Sequence, residues 1–95
     1  MTETSINYAK ALYELSVPEE AVLETEKIFR STPQLKGALE NPLVSLKEKE
    51  HVIDRVFPQE MKNFLKVTCK YQKISSIYDI LEAYGNYSRK QKGIL

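Results

Sequence analysis

The sequence is poor in the residues that build disulfides, metal sites and flexible linkers. It contains one cysteine, one histidine, no tryptophan, three glycines and four prolines in 95 residues. A single cysteine cannot form an internal disulfide, which argues against a small secreted scaffold and favours a reducing compartment. A single histidine excludes a metal site with two histidine ligands. Purely apolar runs reach two or three residues, so we expect no segment to span a membrane.

The composition is otherwise that of an ordinary globular domain. Hydrophobic residues make up 42% of the chain and charged residues 28%, which excludes disorder and collagen-like repeats. A chain of this length corresponds to about one domain, so we expect residues 1–95 to form a single one. Its core is modest in size and leaves little room for an enclosed active site.

Charge is distributed unevenly along the sequence. Residues 1–58 hold seven Lys or Arg and ten Asp or Glu, a net of −3, whereas residues 59–95 hold seven and three, a net of +4. The basic stripe at helical spacing in the second segment consists of Lys62, Lys66, Lys70 and Lys73. Such a stripe could follow nucleic-acid phosphates, but it is also typical of the solvated back of an amphipathic helix, and no recognition helix accompanies it. We expect no nucleic-acid partner and keep a basic-stripe nucleic-acid-binding domain as an alternative.

Prolines and capping residues divide the chain into helices. Strand signals are nearly absent, since there is no useful alternating run and no Asn-Gly or Asp-Gly turn. Pro18 and Pro58 are expected in the first turns of the second and fifth helices, and Ser45 with Glu48 forms a capping box that opens the fourth. The predicted helices cover residues 5–16, 18–30, 32–41, 45–57, 58–71 and a sixth segment from about 75. The sequence therefore predicts an all-α fold, a compact six-helix bundle.

The width of each helix's apolar stripe bears on function. The second and fourth helices have stripes of roughly 120–140°, enough for one core contact. The predicted inward face of the fourth helix is Val52, Ile53, Val56 and Phe57. Apolar residues cover roughly 240° of the first helix and roughly 200° of the fifth, so each needs neighbours on two sides. Either the other helices fully surround these two, or part of each stripe stays open as a groove for an amphipathic helix of another protein. The sixth helix also has a broad stripe, so width alone does not select the pair.

No motif for catalysis or cofactor binding is present. The three glycines are too far apart to form a phosphate-binding loop. His51, close to Glu48 and Glu50, is interpreted as a solvated position of the fourth helix rather than a metal ligand. Cys69 has no activating histidine and is expected to be a small buried hydrophobic residue. We therefore predict no catalytic, cofactor-binding or metal-binding residue, and a protein that is not an enzyme.

Three stretches of the sequence carry a resemblance to a known family. They are Tyr8-Ala9-Lys10-Ala11-Leu12, then Asn41-Pro42-Leu43-Val44-Ser45 followed by Lys47-Glu48-Lys49, and more weakly Asn63-Phe64-Leu65-Lys66-Val67. In order and spacing they resemble the ATP synthase delta subunit family, whose mitochondrial relative is the oligomycin-sensitivity-conferring protein. The agreement extends across nearly the whole chain.

The resemblance implies a six-helix N-terminal domain that acts as a stator component of a rotary proton-translocating ATP synthase. Such a domain binds the amphipathic N-terminal helix of an alpha subunit in a groove between its first and fifth helices, and it helps hold the catalytic head to the peripheral stalk. Carried over by position, the partner-binding residues are Tyr8, Ala11, Leu12 and Leu15 from the first helix and Phe64, Val67, Thr68 and Tyr71 from the fifth. The implied location is peripheral, on the cytoplasmic face of a bacterial cell membrane, without direct membrane insertion.

The sequence departs from the family pattern in two respects. Members commonly close the fifth helix with Asn-Gly-Arg, whereas this chain has Tyr71-Gln72-Lys73, so we expect the helix to run longer or to end in a different turn. The family normally continues into a C-terminal domain that contacts the b subunits of the peripheral stalk. The sequence stops at Leu95 before such a domain, so we expect the b-subunit contacts to lie outside residues 1–95. A small helical adaptor for another partner is the remaining alternative.

Overall fold

The computed structural model describes residues 2–93, which form six α-helices and one short 3-10 turn. The helices are α1 (Glu3–Glu14), α2 (Glu19–Ser31), α3 (Pro33–Glu40), α4 (Leu46–Val56), α5 (Gln59–Lys70) and α6 (Ile77–Gln91). The 3-10 turn, Ile74–Ser76, precedes α6. Residues 2–93 contain no strand, and the predicted all-α fold with six helices is confirmed.

The helices fall into two compact units, which we name the terminal unit and the central unit. In the terminal unit α1 packs on α6, and the Tyr13 ring meets the Tyr87 ring edge-on at a centroid distance of 5.2 Å. The central unit, Pro18–Ser75, contains the other four helices. There α4 packs on α5, α2 packs on both α3 and α5, and the Phe29 and Phe57 ring centroids lie 4.9 Å apart.

Side-chain caps determine where two helices begin. The Thr2 hydroxyl oxygen accepts a hydrogen bond from the Ser5 backbone N–H at 3.1 Å, so α1 begins two residues before its predicted start. The Ser45 hydroxyl oxygen accepts from the Glu48 backbone N–H at 3.1 Å. Each bond satisfies one of the N–H groups that a helix start leaves without an intrahelical partner. The capping-box prediction for the start of α4 is therefore confirmed at Ser45.

Two prolines stand one residue outside their predicted positions. Pro18 and Pro58 lie directly before α2 and α5 rather than within the first turn, because their ψ angles of 136° and 146° are extended. Their carbonyl oxygens accept hydrogen bonds from the backbone N–H groups of Ala21 and Met61 at 2.9 and 3.0 Å. Each proline therefore still begins its helix, but from the capping position.

The first and fifth helices end earlier than predicted, each before a residue with a left-handed backbone. α1 ends at Glu14 and α5 at Lys70, and the φ angles of Ser16 and Gln72 are 57° and 58°. Beyond α5 the backbone N–H of Gln72 donates to the Cys69 carbonyl at 3.0 Å. The backbone N–H of Lys73 donates to the Thr68 carbonyl oxygen at 2.8 Å. This is the Schellman arrangement that glycine usually closes. The fifth helix therefore does not run longer; it ends in a left-handed turn with glutamine in the position that favours glycine.

The buried face of α4 differs from the predicted one. Ile53 and Phe57 are buried, Val52 is half-buried, and Val56 is 38% exposed. Lys49, one turn before Ile53, is buried instead. The prediction for Val56 is wrong because the buried row follows the four-residue spacing 49, 53, 57, which brings neighbouring turns of a helix onto one face.

Candidate functional site

The eight predicted partner-binding residues are divided between the two units. Tyr8, Ala11 and Leu12 lie on α1 and Leu15 closes it, so this group belongs to the terminal unit. Phe64, Val67 and Thr68 lie on α5 and Tyr71 closes it, so the second group belongs to the central unit.

Within the first group, burial separates structural from accessible side chains. Leu12 is fully buried and Tyr8 is half-buried. Ala11 is exposed, and 59% of Leu15 is exposed. Ala11 and Leu15 are four residues apart, which is the spacing of neighbours along one face of a helix. They form an exposed apolar row on α1.

The second group divides in the same way. Phe64 and Thr68 are buried, and the Thr68 hydroxyl donates to the Phe64 carbonyl oxygen at 2.7 Å. Val67 is 48% exposed and Tyr71 is 59% exposed. These two are again four residues apart, so α5 carries a second exposed apolar row.

These exposures decide between the two alternatives left open by stripe width. Leu15, Val67 and Tyr71 keep about half or more of their surface in solvent. The alternative in which the other helices fully surround both the first and the fifth helix is therefore wrong. Each row therefore leaves apolar surface accessible to another molecule.

The basic stripe of α5 has partners within the central unit. The Lys66 Nζ lies 2.8 Å from the Asp54 Oδ1 of α4. Chiefly through this hydrogen bond, Lys66 holds the pKa of the Asp54 carboxyl below its usual value. The Lys62 Nζ donates to the Gln59 side-chain oxygen at 3.2 Å, and the Lys70 Nζ lies 5.8 Å from the ring centroid of Tyr71. Three of the four lysines of the basic stripe thus contact other side chains of the central unit.

The residues considered for chemistry occupy positions suited to structure. His51 is exposed on α4. Cys69 is buried, and burial raises the pKa of its thiol to about 11, so the thiol is protonated near neutral pH. Among residues 2–93 no group of three or more His, Cys, Asp or Glu side chains is placed to hold a metal ion. In the same range, no helix has the length and apolar character needed to cross a bilayer.

One feature of the central unit is absent from the sequence-based predictions. A cleft of about 600 Å³ is bounded by the end of α3 and the turn after it, by Lys49 of α4, and by residues 72–75 after α5. Only 8% of Lys49 is exposed. The signal that predicts this burial is spacing, because Lys49 lies four residues before Ile53 and eight before Phe57. Lysine is almost never buried without a partner, so composition argued against this position.

The chain is similar to a described protein family and to curated relatives. Residues 5–95 match the family described as ATP synthase delta (OSCP) subunit. "ATP synthase subunit delta" of Clostridioides difficile is 31% identical over 100 residues, covering 93% of this chain and 55% of the relative. The protein of the same name from Protochlamydia amoebophila is 30% identical over 102 residues, covering 96% and 56%. "ATP synthase subunit delta, chloroplastic" of Trieres chinensis is 29% identical over 90 residues, covering 83% and 48%.

The matches cover most of this chain but only part of each relative. The chain spans about half the length of the curated relatives it matches. No solved structure matches it significantly. The family match extends over residues 5–95 and reaches all six helices. On this evidence, the chain belongs to the ATP synthase delta (OSCP) subunit family.

Proposed function

We propose that this chain is a stator component of a rotary proton-translocating ATP synthase and binds the amphipathic N-terminal helix of an alpha subunit. The observation that carries the proposal is the match to the delta (OSCP) subunit family over residues 5–95. That family is structural rather than catalytic, so the proposed role is mechanical. By helping to hold the catalytic head to the peripheral stalk, the domain would resist the torque of the rotor.

Each of the two exposed apolar rows is a proposed contact for the alpha-subunit helix. Ala11 and Leu15 form the row on α1, and Val67 and Tyr71 form the row on α5. An amphipathic helix presents its own apolar residues at the same three- and four-residue spacings. Binding would gain about 25 cal/mol for each Å² of apolar surface removed from water, less the cost of ordering a flexible tail.

The buried members of the predicted site have a supporting role in this proposal. Leu12, Phe64 and Thr68 are buried on the same helices that carry the exposed rows. They would hold the backbone that presents the rows, and Tyr8, half-buried on α1, would contact the edge of the visiting helix. Substitution of a buried member would therefore lower folding stability as well as affinity.

The proposal also assigns a location and neighbours. The domain would be a peripheral subunit on the cytoplasmic face of a bacterial cell membrane, with other ATP synthase subunits as its partners. Contact with the peripheral-stalk b subunits is assigned to a C-terminal domain rather than to residues 1–95.

Charge placed in either row should prevent peptide binding. We expect Val67→Asp and, separately, Ala11→Arg to weaken binding of an alpha-subunit N-terminal peptide by at least about tenfold, because each buries an unpaired charge in an apolar contact. Isothermal titration calorimetry measures the affinity, and circular dichroism confirms that each variant is folded. Leu23→Asp is the matched control, because Leu23 of α2 is 64% exposed and lies outside both rows. Unchanged affinity in both folded row variants would contradict the proposal.

Salt dependence separates this contact from phosphate binding. Raising the salt concentration from about 0.1 M to about 1 M should change the peptide affinity by less than about threefold, because apolar contacts are not screened. Binding carried by the lysine stripe would instead fall steeply with salt. Retention on DNA or RNA that falls steeply with salt and weakens when Lys62, Lys66 and Lys70 become Gln would favour the basic-stripe alternative.

A further inference from the structure

Lys49 carries a positive charge into the central unit without a partner for it. Only 8% of the residue is exposed. Its side chain forms no hydrogen bond or ion pair with any residue in the described range 2–93. An ion pair in a partly buried position is stronger than one in open water, because the local dielectric constant is lower. The Lys49 ammonium group is therefore well placed to pair with an anion from outside the chain.

The Lys49 ammonium group is not fully enclosed. No polar side-chain atom in the described part of the chain is both fully enclosed and without a hydrogen bond. Since the Lys49 Nζ makes no hydrogen bond, it must retain an opening, and Lys49 lines the cleft of about 600 Å³. Lysine side chains with buried stems commonly keep the ammonium group at such an opening.

The groups around Lys49 do not neutralise it. The Lys49 charge lowers the pKa of the nearby Cys69 thiol, but burial raises that pKa to about 11. The thiol is therefore protonated and uncharged near neutral pH. Glu40, in the cleft wall, pairs with Lys36 on α3 at 3.1 Å. Glu50 follows Lys49 on α4 but forms no ion pair with it. The Lys49 charge is therefore open to a negative group from outside the chain.

We propose that the cleft binds the carboxylate group of a ligand that also carries a short apolar body. The carboxylate would accept hydrogen bonds from the Lys49 Nζ, and the Ser75 hydroxyl and the Gln72 amide line the same cleft as further donors. Gly37 and Pro42, both exposed in the cleft wall, would contact the apolar body.

The charge of the lining favours a monoanion. The cleft lining contains one lysine and one glutamate, so it has no excess positive charge to bind a phosphate or polyphosphate group. A free carboxylic acid and the C-terminal carboxylate of a peptide share the proposed chemistry. Different probe molecules distinguish these two sources of a carboxylate.

An amide-detected NMR titration of the folded chain tests the site with hexanoate as probe and hexanamide as its uncharged match. Hexanoate should cause saturable shifts at the backbone amides of Gln72, Ile74 and Ser75, and hexanamide should not. Lys49→Met should weaken hexanoate binding by at least about tenfold, the usual effect of removing a charge-assisted hydrogen bond. Lys47→Met is the matched control, because Lys47 is exposed on the same helix, and it should bind like the unmodified chain.

A second pair of variants keeps the test independent of Lys49. Ser75→Glu adds a competing carboxylate to the cleft wall and should also weaken hexanoate binding, whereas Ser31→Glu, exposed on α2 away from the cleft, should not. Equal shifts with hexanamide, or unchanged affinity in both Lys49→Met and Ser75→Glu, would overturn the proposal. Binding of inorganic phosphate as tight as that of hexanoate would overturn the preference for a monocarboxylate.

A peptide arm identifies the source of the carboxylate. N-acetyl-leucine and N-acetyl-leucinamide differ only in whether the C-terminal carboxylate is free. Tighter binding of the free acid than of hexanoate would assign the cleft to a peptide C-terminus, and tighter binding of hexanoate would assign it to a small carboxylic acid. Equal binding of the free acid and the amide would overturn recognition of a peptide carboxylate.

Discussion

Gln72 holds a backbone conformation that glycine adopts without strain. Its φ of 58° lies in the left-handed region, where a Cβ atom crowds the neighbouring carbonyl oxygen. Two backbone hydrogen bonds close the end of α5 around it, to the carbonyls of Cys69 and Thr68. The hydrogen bonding of the turn is thus complete, and the cost is conformational.

Replacing this residue by glycine should stabilise the protein. We expect Gln72→Gly to raise the free energy of unfolding by about 1 kcal/mol, because it removes the left-handed penalty from the folded state. Urea denaturation followed by circular dichroism measures the change. Lys73→Gly is the control, since that residue does not have a positive φ, and it should lower stability. A Gln72→Gly variant no more stable than the unmodified chain would contradict the strain argument.

At the scale of secondary structure, the helix starts were predictable because their causes are local. A serine three residues before a glutamate specifies a cap within one turn of chain, and Ser45 makes the expected bond. Proline marks the start of α2, α3 and α5 because it lacks the N–H that a helix start leaves unused. Predicted starts and ends alike differ from the structure by one or two residues. At the ends of α1 and α5 the difference accompanies a left-handed residue, which the helical pattern alone does not predict.

Removing the cap of α4 should cost stability. We expect Ser45→Ala to lower the free energy of unfolding by about 1 kcal/mol, because the Glu48 N–H loses its acceptor. Thermal and urea denaturation both report the change, and Ser45→Asp, which keeps an acceptor at the helix start, should retain most of the stability. Equal stability of the alanine and aspartate variants would show that the cap bond contributes nothing.

Which apolar side chains of a helix stay exposed was not predictable from the helix alone. Leu12 and Leu15 are both apolar residues of the first helix, yet one is fully buried and the other is 59% exposed. Phe64 and Val67 differ in the same way on α5. The width of the apolar stripes indicated that the first and fifth helices have more apolar surface than one contact buries. Which side chains are buried depends on neighbouring helices that are distant in the sequence.

For the molecule as a whole, Cys69 links stability to pH. Burial raises the pKa of its thiol to about 11; the Lys49 charge opposes this rise and the Glu50 charge adds to it. In the unfolded chain a cysteine titrates near about pH 8.5. The unfolded state therefore loses its proton first as pH rises, which favours unfolding. This contribution to stability is complete below about pH 8.5 and is lost as pH approaches about 11.

The free energy of unfolding should consequently fall more steeply with pH in the unmodified chain than in Cys69→Ala. The comparison is made by urea denaturation at several pH values between about 8.5 and about 11. Tyrosine and lysine residues also titrate in this range, but they are common to both proteins and cancel in the difference. Parallel pH profiles for the two proteins would show that the thiol is not the source.

The sequence by itself determined the all-α class, the six helices and the family, because periodicity, caps, prolines and local motifs act over a few residues. It also indicated that the first and fifth helices have more apolar surface than one contact needs. Only the tertiary structure decided that Leu15, Val67 and Tyr71 stay exposed while Leu12 is covered, and that a lysine lies in the buried row of α4 beside an open cleft. Burial is set by which helices pack together, and that depends on contacts between residues far apart in the chain.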